Sequence, residues 1–413
     1  MNEDLDLYYL ERNWKEWYLA IQGFFYFAQG VAFAAIILLP VFMQRVMGIP
    51  ASTSLVYNAI IMIPWYIKLI YGMLSDNVAI GKYGRRKPYM FIAAALGIVG
   101  WLLLPTFTDF SPFFILVGMS LSLCVALSDA IIDSLAVDVT PQRRRGFMQG
   151  VGWGGRGAGM LVSGVTLGML IDSIGWAVAY IFPGILVILA CFVAFLYKEP
   201  PELEKKEIVF EKLAYKKAFG SSTLWIVSVF MIFSGAGLTI ISVFSTFVNV
   251  ETGLDIETIG IGITLFALGQ IIGAIIMGIS GDLLPLYPVF LGATLLYNLV
   301  IIWLYFLDLH NLLLLYIYIV VIGAINGGYE ANQMRLAMEH SAGKIGGTLY
   351  NWFMSLSNVG QVALGAVIIG IIADTAGYKV AMQFVHIFLI VALIPAWFIV
   401  KRIVKVEKLV RVD

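Results

Sequence analysis

Residues Gly72–Pro88 read Gly-Met-Leu-Ser-Asp-Asn-Val-Ala-Ile-Gly-Lys-Tyr-Gly-Arg-Arg-Lys-Pro. One acid, Asp76, and four cations, Lys82, Arg85, Arg86 and Lys87, are held in a short stretch between two long apolar runs. Basic residues beside a membrane segment stay on the cytoplasmic side, so this loop orients every segment around it. Gly72, Gly81 and Gly84 let the backbone turn tightly and neighbouring helices approach closely.

The rest of the 413-residue chain is 61% hydrophobic and 13% charged, whereas soluble domains carry about 45–50% apolar and about 25% charged residues. This is the composition of an integral membrane protein. A spanning helix needs about 20 apolar residues, and twelve segments qualify. They are Trp17–Phe42, Ser52–Leu74, Pro88–Pro105, Pro112–Val137, Phe147–Ile171 and Trp176–Tyr197, then Leu224–Val248, Ile256–Ser280, Leu286–Leu307, Leu312–Met334, Gly346–Ile372 and Tyr378–Val400. The polar stretch 198–222 divides them. The expected organisation is an all-α membrane protein with a six-helix half at 1–197, a cytoplasmic linker at 198–222 and a second six-helix half at 223–413. With the N-terminus inside, 22 of the 26 Lys and Arg fall on the inner side and two, Arg45 and Lys379, on the outer side. Lys68 and Arg156 lie within segments. This asymmetry places both termini and the linker in the cytoplasm. Residues 1–16 are polar and acidic, unlike a signal peptide, and are expected to be uncleaved. The expected location is the plasma membrane.

Gly72, Asp76, Gly84, Arg85 and Arg86 match a pattern of Gly, three residues, Asp, a turn and Gly-Arg-Arg, with Val78–Tyr83 inserted before the last group. The stretch thus resembles the signature loop between the second and third helices of the major facilitator superfamily. With Pro64-Trp65, Lys68 and Tyr71-Gly72 upstream, the longer loop is most similar to the folate–biopterin transporter branch. The sugar–cation symporters and muropeptide permeases come next. The superfamily's antiporter motif on the fifth helix carries a proline that this chain lacks, so exchange is not implied.

The two halves also repeat one another. Gly72 and Asp76 recur as Gly278 and Asp282, Asp129, Asp138 and Gly146 as Glu330, Glu339 and Gly347, and Asp172–Gly175 as Asp374–Gly377. Transporter folds built from such repeats hold their solute between the halves near the bilayer midplane.

Enzymatic motifs are missing. Gly152-Trp-Gly154-Gly155-Arg-Gly157 fits a dinucleotide-binding spacing, but it follows a basic loop and lies inside an apolar segment, not after a strand. The spacings Gly150/Gly154, Gly155/Gly159 and Gly164/Gly168 predict a close-packing helix face. Cys124 and Cys191 lie in apolar segments, and no Cys/His set has metal spacing. No cofactor, metal or nucleic-acid partner is implied.

Charges inside segments carry the functional reading, since each costs roughly 2.5–3.5 kcal/mol at a helix centre and must pair or face a cavity. They are Asp129, Asp133, Arg156, Glu330 and Lys68. Lys68 and Asp133 read as nearer the cytoplasmic end, where snorkelling or gate pairing would satisfy them. Asp129 and Arg156 lie nine residues above the inner ends of their helices, about 13 Å at 1.5 Å per residue, close to the midplane of a roughly 30 Å core. The expectation is that Arg156 pairs with Asp129 in the empty site and meets an anionic group of a solute in the filled one. The structural alternative is a permanent clamp between two helices. Asp133, one turn below Asp129, would share the cation or hold a proton, since adjacent carboxylates resist joint ionisation. Glu330 has no cation evident near it and is the candidate proton site. Polar stripes at helical spacing occur at Gln22, Tyr26 and Gln29, at Thr239, Ser242, Thr246 and Asn249, at Asn326, Glu330 and Gln333, and at Asn351, Ser355 and Asn358. The resemblance places such stripes along the solute pathway. It also implies an inner gate: Asp76 near the start of the eleventh helix at Gly343–Gly347, Arg85 or Arg86 paired with Asp138, and Asp282 as a weaker copy near Gly146.

These features point to a secondary transporter that moves a small polar organic solute by alternating access, coupled to protons or another cation. A non-transporting assembly or carrier protein on the same fold is the alternative. Single cysteines placed in 198–222 of a Cys-free variant are expected to resist an impermeant thiol reagent in intact cells. Rapid labelling there would reverse the assigned topology.

Overall fold

The computed structural model describes residues 14–78, 80, 86–141, 145–198, 212–283, 285–341 and 346–410. They are helical almost throughout, with no strand among the described residues. Among the described residues, eleven helices are long and apolar enough to cross a membrane. The twelfth crossing is the second in the chain, and it is broken into Ala51–Ile61, Ile63–Tyr66 and Lys68–Asn77. Together these pieces complete a twelve-helix arrangement. Pro64 has no N–H and its ring clashes with the carbonyl four residues before it. Met62 and Ile67, at the two joints, leave the helical region with φ/ψ of −83/1° and −109/18°. Lys68 therefore opens the third piece.

Membrane helices are numbered one to twelve in chain order. The first, Tyr18–Met47, extends past the expected end at Phe42, so Gln44 and Arg45 are helical. The fourth helix is Pro112–Val139, started by Ser111, whose Oγ accepts from the Phe114 amide. The fifth is Arg145–Ile174, the seventh Ser222–Thr252, the eighth Ile256–Leu283, the ninth Leu286–Phe306 and the tenth Leu312–Glu339. The eleventh is interrupted by a π-helical stretch, Val359–Ala366, between Gly346–Asn358 and Val367–Ala376. The Gln361 carbonyl there accepts from Thr239 Oγ1 at 2.8 Å. Nothing in the sequence analysis anticipated this widening.

The chain divides into two compact units. One contains residues 1–42, 60–210 and 255–264, and the other 43–59, 211–254 and 265–413. In the first unit the crossing of helices one and five is built on glycine. A Cβ at Gly30 would lie 2.1 Å from the Arg156 carbonyl oxygen, one at Gly159 2.2 Å from that of Phe27, and one at Gly155 2.5 Å from that of Gly23. Gly164 and Gly168 meet the 255–264 segment in the same way. Gly150 and Gly154 differ from the expectation, because nothing lies within 4 Å of a Cβ added at either. In the second unit Gly235 and Gly360 allow helices seven and eleven to touch backbone to backbone, and Gly273 and Gly327 do so for eight and ten.

Gly30→Ala would force the helix one–five crossing apart and is expected to destabilise by about 1–3 kcal/mol, the usual cost of overpacking. Gly154→Ala is expected to leave stability unchanged or slightly raised. Unfolding midpoints of the two detergent-purified variants check this difference.

Candidate functional site

The first unit carries a buried polar centre between helices one, two, four and five. Lys68 Nζ and Asp129 Oδ2 form an ion pair, and the two residues are only 7% and 5% exposed. Gln29 Nε2 donates to the other oxygen, Asp129 Oδ1, at 2.5 Å. One turn below, Tyr26 Oη donates to Asp133 Oδ1 at 2.5 Å. Three residues apart on the first helix, Tyr26 and Gln29 thus meet two acids four apart on the fourth, as helical spacing on facing surfaces requires.

This corrects the expected Asp129–Arg156 pair. Asp129 takes its cation from the second helix. Lys68 stands nine residues before the end of its helix at Asn77, and Asp129 ten before the end of its own at Val139. At 1.5 Å per residue both lie roughly 13–15 Å deep. Lys68 is therefore level with Asp129, not nearer the cytoplasmic end, because its helix runs on past Leu74. Arg156 instead lays its guanidinium over two aromatic faces, 4.1 Å from the Phe33 ring centre and 5.0 Å from that of Trp153. It has no ion pair among the described residues. The reason is local: Gly30 and Gly155 lock the Arg156 backbone against helix one, Phe33 lies one turn beyond Gly30, and Trp153 precedes Arg156 by three residues on the same face.

Gln22, on the same stripe as Tyr26 and Gln29, is fully buried and accepts from Tyr197 Oη at 3.2 Å. In the second unit Asn326 is held by packing: its Nδ2 donates to Tyr297 Oη at 2.9 Å and its Oδ1 accepts from Gln270 Nε2 at 3.0 Å. Gln333 Nε2 donates to Ser234 Oγ at 2.6 Å, and Ser357 Oγ donates to Gln333 Oε1 at 3.1 Å. Glu330, Asn351 and Asn358 are half-buried on helices ten and eleven.

The seventh-helix stripe joins a network that sequence reasoning missed. Gln44 Nε2 donates to Ser54 Oγ at 3.0 Å and to Thr246 Oγ1 at 3.2 Å. Asn249 Nδ2 donates to Gln44 Oε1 at 2.9 Å, and Arg45 Nε donates to Asn249 Oδ1 at 2.7 Å. Arg45, one of the two cations expected on the outer side, was the available signal.

Of the expected inner gate, the Asp76, Asp138 and Asp282 side chains, Arg85 and most of Gly343–Gly347 lie outside the described residues. Arg86 is described and buried, with Nη1 donating to Ser75 Oγ at 3.1 Å.

A helical membrane protein with charges paired at midplane depth defines a class, and the comparisons give the family. The model of the Major Facilitator Superfamily matches residues 20–255 and 227–411, so the chain belongs to that superfamily. Its curated relatives are of the branch the signature loop resembles. A folate-biopterin transporter of Synechocystis sp. is 26% identical over 254 residues, covering 60% of this chain and 51% of the relative. A probable folate-biopterin transporter of Arabidopsis thaliana is 28% identical over 110 residues, 25% of this chain and 22% of the relative. The chain thus spans about half the length of the first and less of the second. Among solved structures, a D-xylose-proton symporter superposes with TM-score 0.74 at 13% identity, covering 92% of this chain and 96% of the other. A bacterial homologue of the lysosomal transporter Spinster gives 0.71 at 14% identity, covering 94% and 97%. These likenesses concern the fold.

Removing one partner of the Lys68–Asp129 pair leaves a buried charge alone, which typically costs about 3–5 kcal/mol. Lys68→Met or Asp129→Leu is expected to lose that much, and the double variant to recover most of it. A double-mutant cycle on unfolding midpoints checks the pairing; additive losses would mean that the two charges are not coupled.

Proposed function

We propose that the chain is a secondary active transporter that moves a small polar organic solute across the membrane by alternating access, driven by protons or another cation. The observation that carries this reading is the buried centre on helices one, two and four: two acids, one lysine, a phenol and an amide at midplane depth. Ionisable groups are expensive there and mark solute or ion pathways by default. The family supports membrane transport, and the curated relatives named for folate and biopterin make pterin-like solutes the first to test.

In this reading 1–197 and 223–413 are the moving halves and 198–222 is their cytoplasmic tether, in the plasma membrane. Asp76, Arg85, Arg86, Asp138 and Asp282 form the inner gate. Arg156 meets an anionic group of the solute, and Asn326, Asn351 and Asn358 belong to the second half's share of the pathway. Asp129 is held charged by Lys68. Glu330 is the proton site, with Asp133 the other acid whose protonation would be felt by the paired centre.

Proteoliposomes loaded at neutral pH and diluted into acid are expected to accumulate a radiolabelled pterin. Glu330→Gln is expected to abolish pH-driven accumulation while leaving counterflow, and Asp133→Asn to alter its pH dependence. Wild-type accumulation with unchanged pH dependence in Glu330→Gln would remove that residue from coupling.

A further inference from the structure

We propose that helix seven carries a releasable joint at Leu238–Thr239, latched by Gln361 of helix eleven. Gln361 is then a positioning residue, and its release lets Ile240–Thr252 change direction. The joint goes beyond the transporter reading; only its use in a transport cycle rests on that reading.

Helix seven is two pieces, Ser222–Gly237 and Ile240–Thr252, with no proline in either or between them. At Leu238 the backbone leaves the helical region, with φ/ψ of −86/10°. In a regular ladder the Ser242 amide would donate to the Leu238 carbonyl, four residues before it. It donates instead to the Thr239 carbonyl at 2.8 Å, which also accepts from the Val243 amide at 3.2 Å. The freed Leu238 carbonyl accepts from Gln361 Nε2 at 3.1 Å. In return Thr239 Oγ1 donates to the Gln361 carbonyl at 2.8 Å, inside the π-helical stretch Val359–Ala366. Both helices thus depart from α geometry where they touch. Each supplies a partner to a carbonyl of the other, as backbone irregularity in a membrane interior requires. Glycine brings them within reach. A Cβ at Gly360 would lie 2.0 Å from the Ile232 carbonyl oxygen, and one at Gly365 2.7 Å from Thr239 Cβ.

The internal repeat provides the contrast. Helix one, the counterpart of helix seven, also breaks, at Leu38 between Tyr18–Ile37 and Leu39–Met47. There Pro40 is the second residue of the following piece. Proline has no N–H, so the ladder bond to the Ile36 carbonyl is missing in every conformation. That bend is fixed by covalent structure. Helix five, the counterpart of helix eleven, is one α-helix over Arg145–Ile174, and it has Gly159-Met160 where helix eleven has Gly360-Gln361. The bend in helix seven is made of hydrogen bonds that exchange. When Gln361 withdraws, the Ser242 amide returns to the Leu238 carbonyl, and that carbonyl keeps a partner in both states. Two satisfied arrangements that differ by one side chain are what a hinge needs. The lever is long: Val250 lies about 18 Å along the helix from Leu238. A change of about 20° in the bend therefore moves Val250 by about 6 Å.

Spin labels at Val250 and Leu313, two exposed residues of the second unit, test the joint in a Cys-free variant of the full chain in liposomes. The expected distance distribution has two components about 6 Å apart. Ile240→Pro puts proline at the first position of the second piece, where a helix tolerates it, and is expected to leave only the latched component. Gln361→Leu and Thr239→Val each remove one latch bond and are expected to shift the population about fivefold toward the other component, with Thr239→Ser restoring it. If Gln361→Leu or Ile240→Pro does not fold, the Thr239 pair still decides. In pterin uptake, Ile240→Pro is expected to lower the maximal rate about tenfold or more and to leave the half-saturating concentration within about twofold. A single distance shared by the wild type and the Thr239 variants, or a wild-type maximal rate in Ile240→Pro, overturns the proposal. Two components that respond to the variants in a protein that takes up no solute would count against the transporter reading and leave the joint standing.

Discussion

The Lys68–Asp129 ion pair is the constraint on which the first unit depends. Two charges taken to midplane depth lose their hydration, and their attraction repays that loss only when geometry is good and further hydrogen bonds satisfy what remains. Here Gln29 supplies such a bond to the second carboxylate oxygen. A pair of this kind contributes little net stability compared with well-packed apolar side chains. Its effect is geometric: helices one, two and four must keep one register, since rotation of any of them would strand a charge.

That register fixes the rest of the centre. With Asp129 held between Lys68 and Gln29, the next turn of the fourth helix brings Asp133 to Tyr26. The glycine crossing brings the fifth helix in at backbone contact, and Arg156 arrives with its side chain directed onto Phe33 and Trp153. The division of labour between the two cations follows. One is paired with an acid, and the other lies on ring faces that attract it by about 0.5–2 kcal/mol.

Each unit contains irregular backbone. The second helix is interrupted just before Lys68, so the lysine opens a new helical piece. The π-helical stretch of the eleventh helix presents the Gln361 carbonyl to Thr239, outside the regular ladder. In a membrane interior such breaks persist only where other groups take up the freed polar atoms. In the second unit Asn326 donates to Tyr297 and Gln333 to Ser234, so these side-chain amides tie helices together.

The amino-acid sequence by itself determined the class of the protein, the twelve crossings and the membership signalled by Gly72–Arg86. These are one-dimensional properties: a span is a length of apolar chain, and the loop motif is contiguous. It also picked out Asp129, Asp133, Arg156, Glu330 and Lys68 as charges within the spans, because charge in an apolar run is visible without coordinates. Which charge meets which was decided only by the tertiary structure. Partner choice depends on the rotation of each helix about its axis, on the glycine contact that brings helix five against helix one, and on where the second helix breaks. A count of residues from Asn77 puts Lys68 level with Asp129, yet depth leaves Arg156 an equal contender. The packed crossing, which lays Arg156 on Phe33 and Trp153, gives the acid to the lysine.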